Sequence, residues 1–531
     1  MNRKKMVMLT ISSVSLLVAI SFFPVLAISP NEVLGKDAPS PYTSDLPFNN
    51  IFSLLLFYIL NFLKDNNNHA PGVPYDAAPA DGAVDVSVMT TLSWKCDDAD
   101  GDELVYHVYL GSDEAGGMEL VYEGKSNSVD VSLSYGTTYS WKVIADDGEK
   151  STSGNVWHFT TEEYVAPVPP GPDNESNYGW TIMVYLDGDN NMDDYAQMEL
   201  NEIKSVHING NVTVVILYDG YGNGNSHFYV AENNSFEEIP LGEVNASWIG
   251  EVNMGDSRTL RDFVNYSMAN YPAKNYMLEL WSHGNGWMGI CQDSSSGDRL
   301  TMKKVKNALS ESCGAHNKKI DVVVYTACGM GEIENAYAIK DYADYFISSE
   351  ESFFATGLPH ADIIENAVNN SSISPQKMSE MIVNEFSTYY QSAKSATLSA
   401  VNLSNLDNLI HTLDEFSQNL ISNLETNKTE IGDAYNETES FDGIGIIDLY
   451  DFACKIQESF NTGTELYNSA QRIMENVTKA TVSEWHGSNH QNAHGIGIYL
   501  PSPERYVDLY EDTCFAAYTH WDEFLSTFYS I

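Results

Sequence analysis

A histidine and a cysteine in this chain each follow an apolar run and precede a glycine. His283 closes the run 276–282, and Cys328 closes the run 320–327. Branched and aromatic residues dominate both runs, which predicts buried β-strands that end at sharp turns. The carboxyl ends of neighbouring parallel strands meet at one edge of an α/β sheet, where ligands are commonly bound. We therefore expect the imidazole and the thiol to share one edge of a sheet.

This pair of side chains has the residue types that acyl transfer needs. A thiolate attacks carbonyl carbon when a neighbouring base takes its proton, and an imidazole titrates in the required pH range. The backbone N–H groups of Gly284 and Cys328 could stabilise the resulting oxyanion. The ordinary alternative is a buried structural cysteine and a histidine with a purely structural role. Residue type by itself leaves both interpretations open.

Strands and helices alternate from residue 179 onward. The clearest apolar runs and helical periodicities lie at 180–186, 193–206, 212–218, 345–348, 375–392, 406–424 and 495–500. Strands are predicted at 180–186, 212–218, 345–348 and 495–500, and helices at the other three segments. Such alternation predicts a three-layer α/β/α sandwich with a mostly parallel sheet.

The segment 75–162 has a different character. Short β-type runs recur there between Gly and Asp turns, which predicts a small all-β sandwich of about 90 residues. With Leu92-Ser93-Trp94 early and Trp157–Thr161 at its close, the segment resembles a fibronectin type III module. Residues 163–178 contain several prolines and are predicted to form a semi-rigid linker between this domain and the domain at 179–531.

The composition limits the partners and the compartment. The chain has 531 residues and a formal net charge of −47, which opposes nucleic acid and anionic lipid as partners because phosphate would be repelled. The six cysteines lie far apart and form no CxxC pair, so neither a zinc ribbon nor a small disulfide scaffold is predicted.

The amino-terminal residues predict export. A basic start precedes the apolar stretch 6–20 and small residues at 25–27, so residues 1–27 are predicted to be a secretory signal peptide. Residues 28–74 form a predicted spacer with a short apolar segment at 51–63. Thirteen residues are too few to span a bilayer as a helix, so docking on another domain or association with a membrane surface is expected. The expected location is secreted or at the cell surface.

Three polar segments of the sequence are candidate metal sites. The carboxylates of 97–102 could bind calcium, although an ordinary acidic turn is the preferred interpretation. The segment 187–193 lacks the glycine of an EF-hand loop and is predicted to be a turn that caps the next helix. His486, His490 and His494 are spaced four apart, but the residues between them favour a loop, so no metal site is predicted there.

Several stretches of residues 178–531 resemble the clostripain family of cysteine peptidases, which are relatives of caspases, gingipains and legumains. The likeness is carried by Trp180–Met192, Trp281–Trp287, Thr326–Glu332, His494–Pro501 and Trp521–Leu525. The resemblance implies a caspase-like fold, with His283 as the catalytic histidine and Cys328 as the nucleophile. It also implies that the N–H groups of Gly284 and Cys328 form the oxyanion hole.

The resemblance has one departure, which concerns substrate specificity. Members that cleave after Arg or Lys carry Asp two residues before the cysteine, whereas this chain has Thr326. A neutral hydroxyl cannot pair with a buried guanidinium. Glu350 or Glu351 could supply the carboxylate of the S1 pocket instead. Some members are activated by calcium, so calcium is retained as a candidate ion although no cofactor is required.

Two functions are therefore carried forward. The first is an exported cysteine endopeptidase that hydrolyses proteins or peptides through a Cys-His dyad and a thioester acyl-enzyme. The alternative is a catalytically inert binding protein of the cell surface that is built on a peptidase-like domain.

Overall fold

The structure is a computed structural model, and it describes residues 68–112, 117–133, 136–162, 178–208, 210–441 and 445–530. The predicted signal peptide, the apolar segment 51–63 and the linker up to residue 177 lie outside these residues. The chain divides into two compact units, Met1–Glu162 and Glu163–Ile531. Within the described ranges, no helix has both the length and the apolar character needed to cross a membrane.

The first unit is a β-sandwich. Its strands are β1 (Tyr75–Ala78), β2 (Ala83–Val86), β3 (Met89–Lys95), β4 (Val105–Ser112), β5 (Glu119–Gly124), β6 (Ser128–Ser132), β7 (Thr138–Asp146), β8 (Ser151–Ser153) and β9 (Trp157–Thr161). One sheet has the order β1-β3-β6 and the other β2-β9-β7-β4-β5, with β8 paired to β7. Alternate residues of β4 and β7 point inward, where Trp94 and Trp141 are buried. The predicted all-β domain is confirmed.

The second unit contains the remaining strands. They are β10 (Tyr178–Asp187), β11 (Val212–Asp219), β12 (Ser226–Glu232), β13 (Ser235–Ile239), β14 (Ala273–Trp281), β15 (Ile290–Asp293), β16 (Asp298–Leu300), β17 (Ile320–Thr326), β18 (Ala343–Ser348), β19 (Thr397–Asn402), β20 (Ser440–Phe441), β21 (Ile446–Asp448), β22 (Thr481–His486) and β23 (Gly497–Tyr499). The main sheet has the order β13-β12-β11-β10-β14-β17-β18-β19-β22.

Helices cover both faces of this sheet. They are α1 (Asp193–Lys204), α2 (Leu241–Val244), α3 (Ser257–Asn270), α4 (Met302–His316), α5 (Ile333–Ile339), α6 (His360–Asn369), α7 (Pro375–Tyr389), α8 (Leu406–Glu437), α9 (Leu449–Ser459), α10 (Glu465–Ala480) and α11 (Trp521–Ser530). Short 3-10 helices lie at Leu403–Asn405, Pro503–Arg505, Asp508–Asp512 and Ala516–Tyr518. Helix α1, α6 and α7 pack on one face, and α3, α4, α8, α9 and α10 pack on the other. The predicted three-layer sandwich is confirmed.

The sheet is parallel at its centre and antiparallel at its margins. The neighbouring pairs from β11 through β10, β14 and β17 to β18 are parallel. The outer pairs with β12, β13, β19 and β22 are antiparallel. Parallel strands buried on both faces read as continuous apolar runs, and β11 has no exposed residue along its length. That is why these central strands could be predicted from sequence.

The strand predicted at 495–500 is present as β23, which pairs with β21 in a separate small sheet. One local expectation is wrong. The residue preceding α1, Met192, makes no side-chain capping bond, so the segment 187–193 does not cap that helix with a side chain. Its polar side chains bond elsewhere, in and around the candidate active site.

Candidate active site

His283 and Cys328 follow adjacent strands at the same edge of the sheet. Strands β14 and β17 are paired in parallel, with Trp281 opposite Thr326, so each residue lies two positions beyond a paired position. The two loops approach very closely, because a Cβ added to Gly284 would lie 2.5 Å from the carbonyl oxygen of Cys328. Only glycine permits this approach of the two backbones.

Two backbone N–H groups at these strand ends have no acceptor among the described residues. Among the described residues, neither the N–H of Gly284 nor that of Cys328 forms a hydrogen bond. Unpaired backbone N–H groups at an otherwise well-bonded site can receive a ligand oxygen. A cavity of about 350 Å³ lies beside Gly284 and is also lined by Asn191, His283 and Arg299, among others.

The imidazole of His283 is held by a residue that the sequence interpretation missed. Its Nε2 lies 2.8 Å from Oδ1 of Asn191, in the loop that follows β10. With the amide oxygen accepting, Nε2 carries the proton and Nδ1 offers the lone pair. Burial lowers the pKa of His283, which favours the neutral base at pH 7. Asn191 lies within the stretch that carries the family resemblance, and that was its only sequence signal.

We expect replacement of Asn191 by alanine to lower kcat/KM by roughly fivefold, because one orienting hydrogen bond contributes about 1 kcal/mol. The pH dependence of kcat/KM should also change, because the amide no longer selects one tautomer of His283. Steady-state hydrolysis of a fluorogenic peptide measured from pH 5 to 9 checks this expectation. Asn201→Ala on α1, whose amide bonds only the Gln197 carbonyl, is the matched control and should leave the profile unchanged.

The sulfur of Cys328 is half-buried and contacts the loop that follows β18. The N–H of Phe353 donates to Sγ at 3.3 Å, and Sγ lies 3.7 Å from the Phe353 carbonyl oxygen. All six cysteines are free thiols. Burial raises the pKa of Cys291 and Cys313, which makes these two thiols poor nucleophiles.

Thr326 connects the end of β17 to a buried charge network. Its hydroxyl donates to Oε1 of Glu279 at 2.5 Å, and the other oxygen of Glu279 lies 2.8 Å from Nε2 of His360. Nδ1 of His360 lies 2.6 Å from Glu199. Burial by itself lowers the pKa of His360, but Glu279 and Glu199 outweigh it, and the pKa is raised well above 6.5. We refer to Glu279, His360 and Glu199 as the Glu-His-Glu network.

The two glutamates considered for the S1 pocket lie inside the protein. Glu350 is 1% exposed and accepts from the N–H of Gly495. Glu351 is 4% exposed, accepts from the N–H of Ser352 and lies 3.3 Å from His490. Burial raises the pKa of Glu350 well above its usual range. Both carboxylates are enclosed by protein, and the carboxylate that bonds to Thr326 is that of Glu279.

A group of carboxylates lies at the same sheet edge, beside the site. Asp187 ends β10, Asp219 ends β11, and the two are register partners. Asp189 follows in the next turn, with Glu251 and Asp293 nearby. Burial raises the pKa of Asp219 to about 9 and that of Asp187 to about 7. This group is not visible in the sequence, because its members lie on segments that are far apart in the chain.

The acidic segment 97–102 and the histidine-containing segment 486–494 differ in how closely their side chains converge. Oδ1 of Asp98 accepts from the N–H groups of Asp100 and Asp102, which is the geometry of an acidic turn. The three carboxylates are nevertheless close enough to share an ion. Of the histidines, His486 ends β22, whereas His490 and His494 lie in the following loop. In the described part of the chain these histidines do not converge as ligands.

The α/β/α fold, with His283 and Cys328 at the ends of two adjacent parallel strands, is that of the caspase-like cysteine peptidases. Residues 184–528 match the sequence model of the clostripain family. Clostripain from Hathewaya histolytica is 22% identical over 445 residues, which are 69% of this chain and 82% of that protein. The secreted C11 cysteine protease iotapain from Bacteroides thetaiotaomicron is similar in structure, with a TM-score of 0.51 at 18% identity, over 65% of this chain and 99% of its own.

An inactive zymogen C11 protease from Parabacteroides distasonis is also similar in structure, with a TM-score of 0.49 at 21% identity, over 65% of this chain and 99% of its own. The family model matches more than half of the chain. The chain therefore belongs to the clostripain family, and it is a cysteine-type endopeptidase.

Proposed function

We propose that this chain is an exported endopeptidase in which Cys328 attacks the scissile carbonyl and His283 is the base. The observation that carries the proposal is the convergence of the two strand ends, with Gly284 packed against the backbone of Cys328. Nδ1 of His283 takes the thiol proton, and sulfur bonds to the carbonyl carbon. The C–N bond then breaks, and the amine leaves with the proton returned by the imidazole.

The oxyanion and the acyl-enzyme follow from the same groups. The N–H groups of Gly284 and Cys328 donate to the developing oxyanion, because neither has an acceptor within the described protein. The product of this step is a thioester on Cys328. Water, deprotonated by His283, attacks the thioester carbon, and the thiol leaves as the carboxylic acid is released.

The proposed S1 site includes Thr326, the position that the family resemblance assigns to the pocket floor. Thr326 is only 2% exposed, and its hydroxyl donates to Glu279. The carboxylate nearest this position is thus that of Glu279 rather than those of Glu350 and Glu351. Since Glu279 is already paired with His360, a basic P1 side chain would have to share its charge.

Export is part of the proposal and rests on the sequence. The basic start, the apolar stretch 6–20 and the small residues at 25–27 have the order of a signal peptide. Residues 28–67, which include the apolar segment, lie outside the described part of the chain. A protein or peptide substrate is expected, as befits a peptidase of this family.

Covalent labelling tests the proposal directly. A peptidyl ketone that alkylates thiols should give one adduct, and digestion with mass spectrometry should place it on Cys328. Of the six free cysteines, Cys514 is the exposed one and is the residue that non-specific alkylation would modify. The label on Cys328 should be lost in His283→Ala and retained in Cys514→Ser. An adduct confined to Cys514, or labelling that is independent of His283, would overturn the proposal.

A further inference from the structure

An arginine lines the cavity beside His283. Arg299 lies on β16, opposite Gln292 of β15, and its side chain is half-buried. Its backbone N–H donates to Asp298, and its carbonyl oxygen accepts from Lys304. Among the described residues, its guanidinium forms no hydrogen bond and no ion pair. A guanidinium carries five donors and a fixed positive charge, so this wall of the cavity offers unused hydrogen bonds to an anionic ligand.

The described residues that form the rest of the cavity wall carry no acidic side chain. They include Asn191, Asn285, Gln292 and Ser294. The chain has 74 acidic residues and a formal net charge of −47, so a cavity with an arginine and without a carboxylate is a local exception. Its volume of about 350 Å³ lies in the range of ligand pockets. The cavity is therefore suited to an anionic group.

The carboxylates that lie nearest to Arg299 in the sequence are bonded to other groups. Asp298 lies 2.5 Å from Nζ of Lys304. Asp293 accepts from two backbone N–H groups, at 2.8 and 2.7 Å. A half-buried guanidinium without a carboxylate partner among the described residues is costly to desolvate, and a carboxylate on a ligand compensates that cost.

The hairpin formed by β15 and β16 fixes the backbone of Arg299. Ile290 and Leu300 are paired across it, are 0% exposed and belong to the core on the α3 and α4 face of the sheet. A Cβ added to Gly255 would clash with the backbone of Arg299, so the segment before α3 packs directly on β16. The strand that carries the guanidinium is thus ordered before a substrate binds, which lowers the entropy cost of binding.

The cavity lies on the side of His283 that the leaving fragment occupies. In the proposed reaction the imidazole returns its proton to the departing amine, so the residues after the scissile bond pass next to His283. Cys328 is not among the described residues that line the cavity. Thr326, at the S1 position, bonds to Glu279 on the sheet face covered by α1 and α6, whereas the hairpin packs into the core on the opposite face. Arg299 is therefore placed for residues after the scissile bond and not for P1.

We propose that Arg299 binds a carboxylate of the leaving fragment, so that the enzyme selects peptides that are acidic on the carboxyl side of the scissile bond. The carboxylate belongs either to an Asp or Glu side chain or to the carboxyl terminus of a short substrate. An extended residue spans about 3.4 Å, so the first few residues after the bond can reach the cavity. This role rests on the proposed function, because it assigns a specificity to the same site.

Pairs of internally quenched peptides test this role. The members of a pair differ by Glu or Gln at P1′, P2′ or P3′, and a further pair ends after P2′ with a free carboxylate or an amide. In at least one pair, we expect the wild type to hydrolyse the charged member with roughly tenfold higher kcat/KM, the effect of a charge-assisted hydrogen bond at a partly exposed site. A preference among the Glu pairs identifies a side chain, and one confined to the last pair identifies the carboxyl terminus.

Variants assign the preference to the guanidinium. Arg299→Gln should abolish it, and Arg299→Glu should reverse it in favour of a peptide with Lys at the same position. Arg299→Lys keeps the charge but loses the planar fork, so it should retain part of the preference. Lys303→Gln is the matched control, because it removes the same charge from an exposed position on α4 outside the cavity and should keep the preference. Thermal melts check that each variant is folded, and Arg299→Gln decides if Arg299→Glu does not fold.

Self-cleavage is the competing explanation for an arginine beside a peptidase site. Intact mass spectrometry of the wild type and of Cys328→Ala measures it after incubation. Cleavage after Arg299 that depends on Cys328 would make this side chain a P1 residue of a substrate, and it would overturn the proposed role. An uncut hairpin that shows the carboxylate preference supports the role.

A peptidyl coumarin, which has no amino acid after the scissile bond, separates this role from the proposed function. If the wild type hydrolyses it but prefers no charged member of any pair, the role of Arg299 is wrong while the proposed function stands. The role is also wrong if the preference survives in Arg299→Gln or is lost equally in Lys303→Gln. If the wild type hydrolyses neither kind of substrate, the proposed function fails and this role fails with it.

Discussion

Replacing Cys328 by alanine should reduce peptide hydrolysis by at least about 10⁴-fold, because no other group can form the acyl bond. The fold should be retained. Sγ accepts one weak hydrogen bond, from Phe353 N–H, and its loss is worth about 1 kcal/mol or less. Hydrolysis of a fluorogenic peptide library and a thermal melt of the same samples measure both quantities. Cys454→Ala, on α9 and also half-buried, is the control and should keep full activity.

The same variant distinguishes the enzyme from an inert binding protein. If the domain were inert, the wild type would show no turnover across the library and the alanine variant would behave identically. Turnover by the wild type that survives Cys328→Ala would instead place the nucleophile elsewhere. His283→Ala should lower activity to a similar degree, and the double variant should be no worse than either single one, since the pair acts as a unit.

Replacing His360 by glutamine should destabilise the peptidase unit by roughly 3–5 kcal/mol, the usual cost of breaking a buried ion pair. The variant leaves Glu279, which is 0% exposed, and Glu199, which is 2% exposed, without their cation. Differential scanning calorimetry of the full chain should show one transition shifted to lower temperature. His227→Gln is the matched control, because that histidine pairs with Glu238 at the surface and its loss should cost less than about 1 kcal/mol.

The destabilisation should depend on pH in a definite direction. The folded-state pKa of His360 is raised well above 6.5 by the two glutamates. Its contribution to stability is therefore fully present below about pH 6.5 and is lost as the pH rises through the raised pKa. The wild type and His360→Gln should differ most at pH 6 and progressively less above it. A difference that grows with pH would contradict the assignment of a charged imidazole to the Glu-His-Glu network.

Much of the architecture could be predicted because its signals are local. The central strands are largely buried on both faces, so β11 is a nearly continuous apolar run whose end is visible in the sequence. Strand ends at a shared edge then placed His283 and Cys328 correctly, each two residues beyond its strand. The separate all-β segment was similarly evident from short runs between turn residues.

Contacts between distant segments were not visible in this way. Asn191 and His283 are 92 positions apart, and Glu199 and His360 are 161 positions apart. Glu350 and Glu351 follow a strand as a surface pair would, yet the packing of neighbouring elements buries both. Periodicity reports which face of its own element a residue occupies. It does not report which side chain arrives from another element.

Sequence alone determined the family, the two-domain organisation and the strand ends that carry the imidazole and the thiol, because all of these depend on local patterns and short motifs. Tertiary structure alone decided which groups surround them: the amide of Asn191 on His283, Glu279 bonded to Thr326, and the paired carboxylates of Asp187 and Asp219 at the ends of β10 and β11. The physical reason is that each of these pairs joins segments far apart in the chain, and only the packing of the sheet brings the segments together.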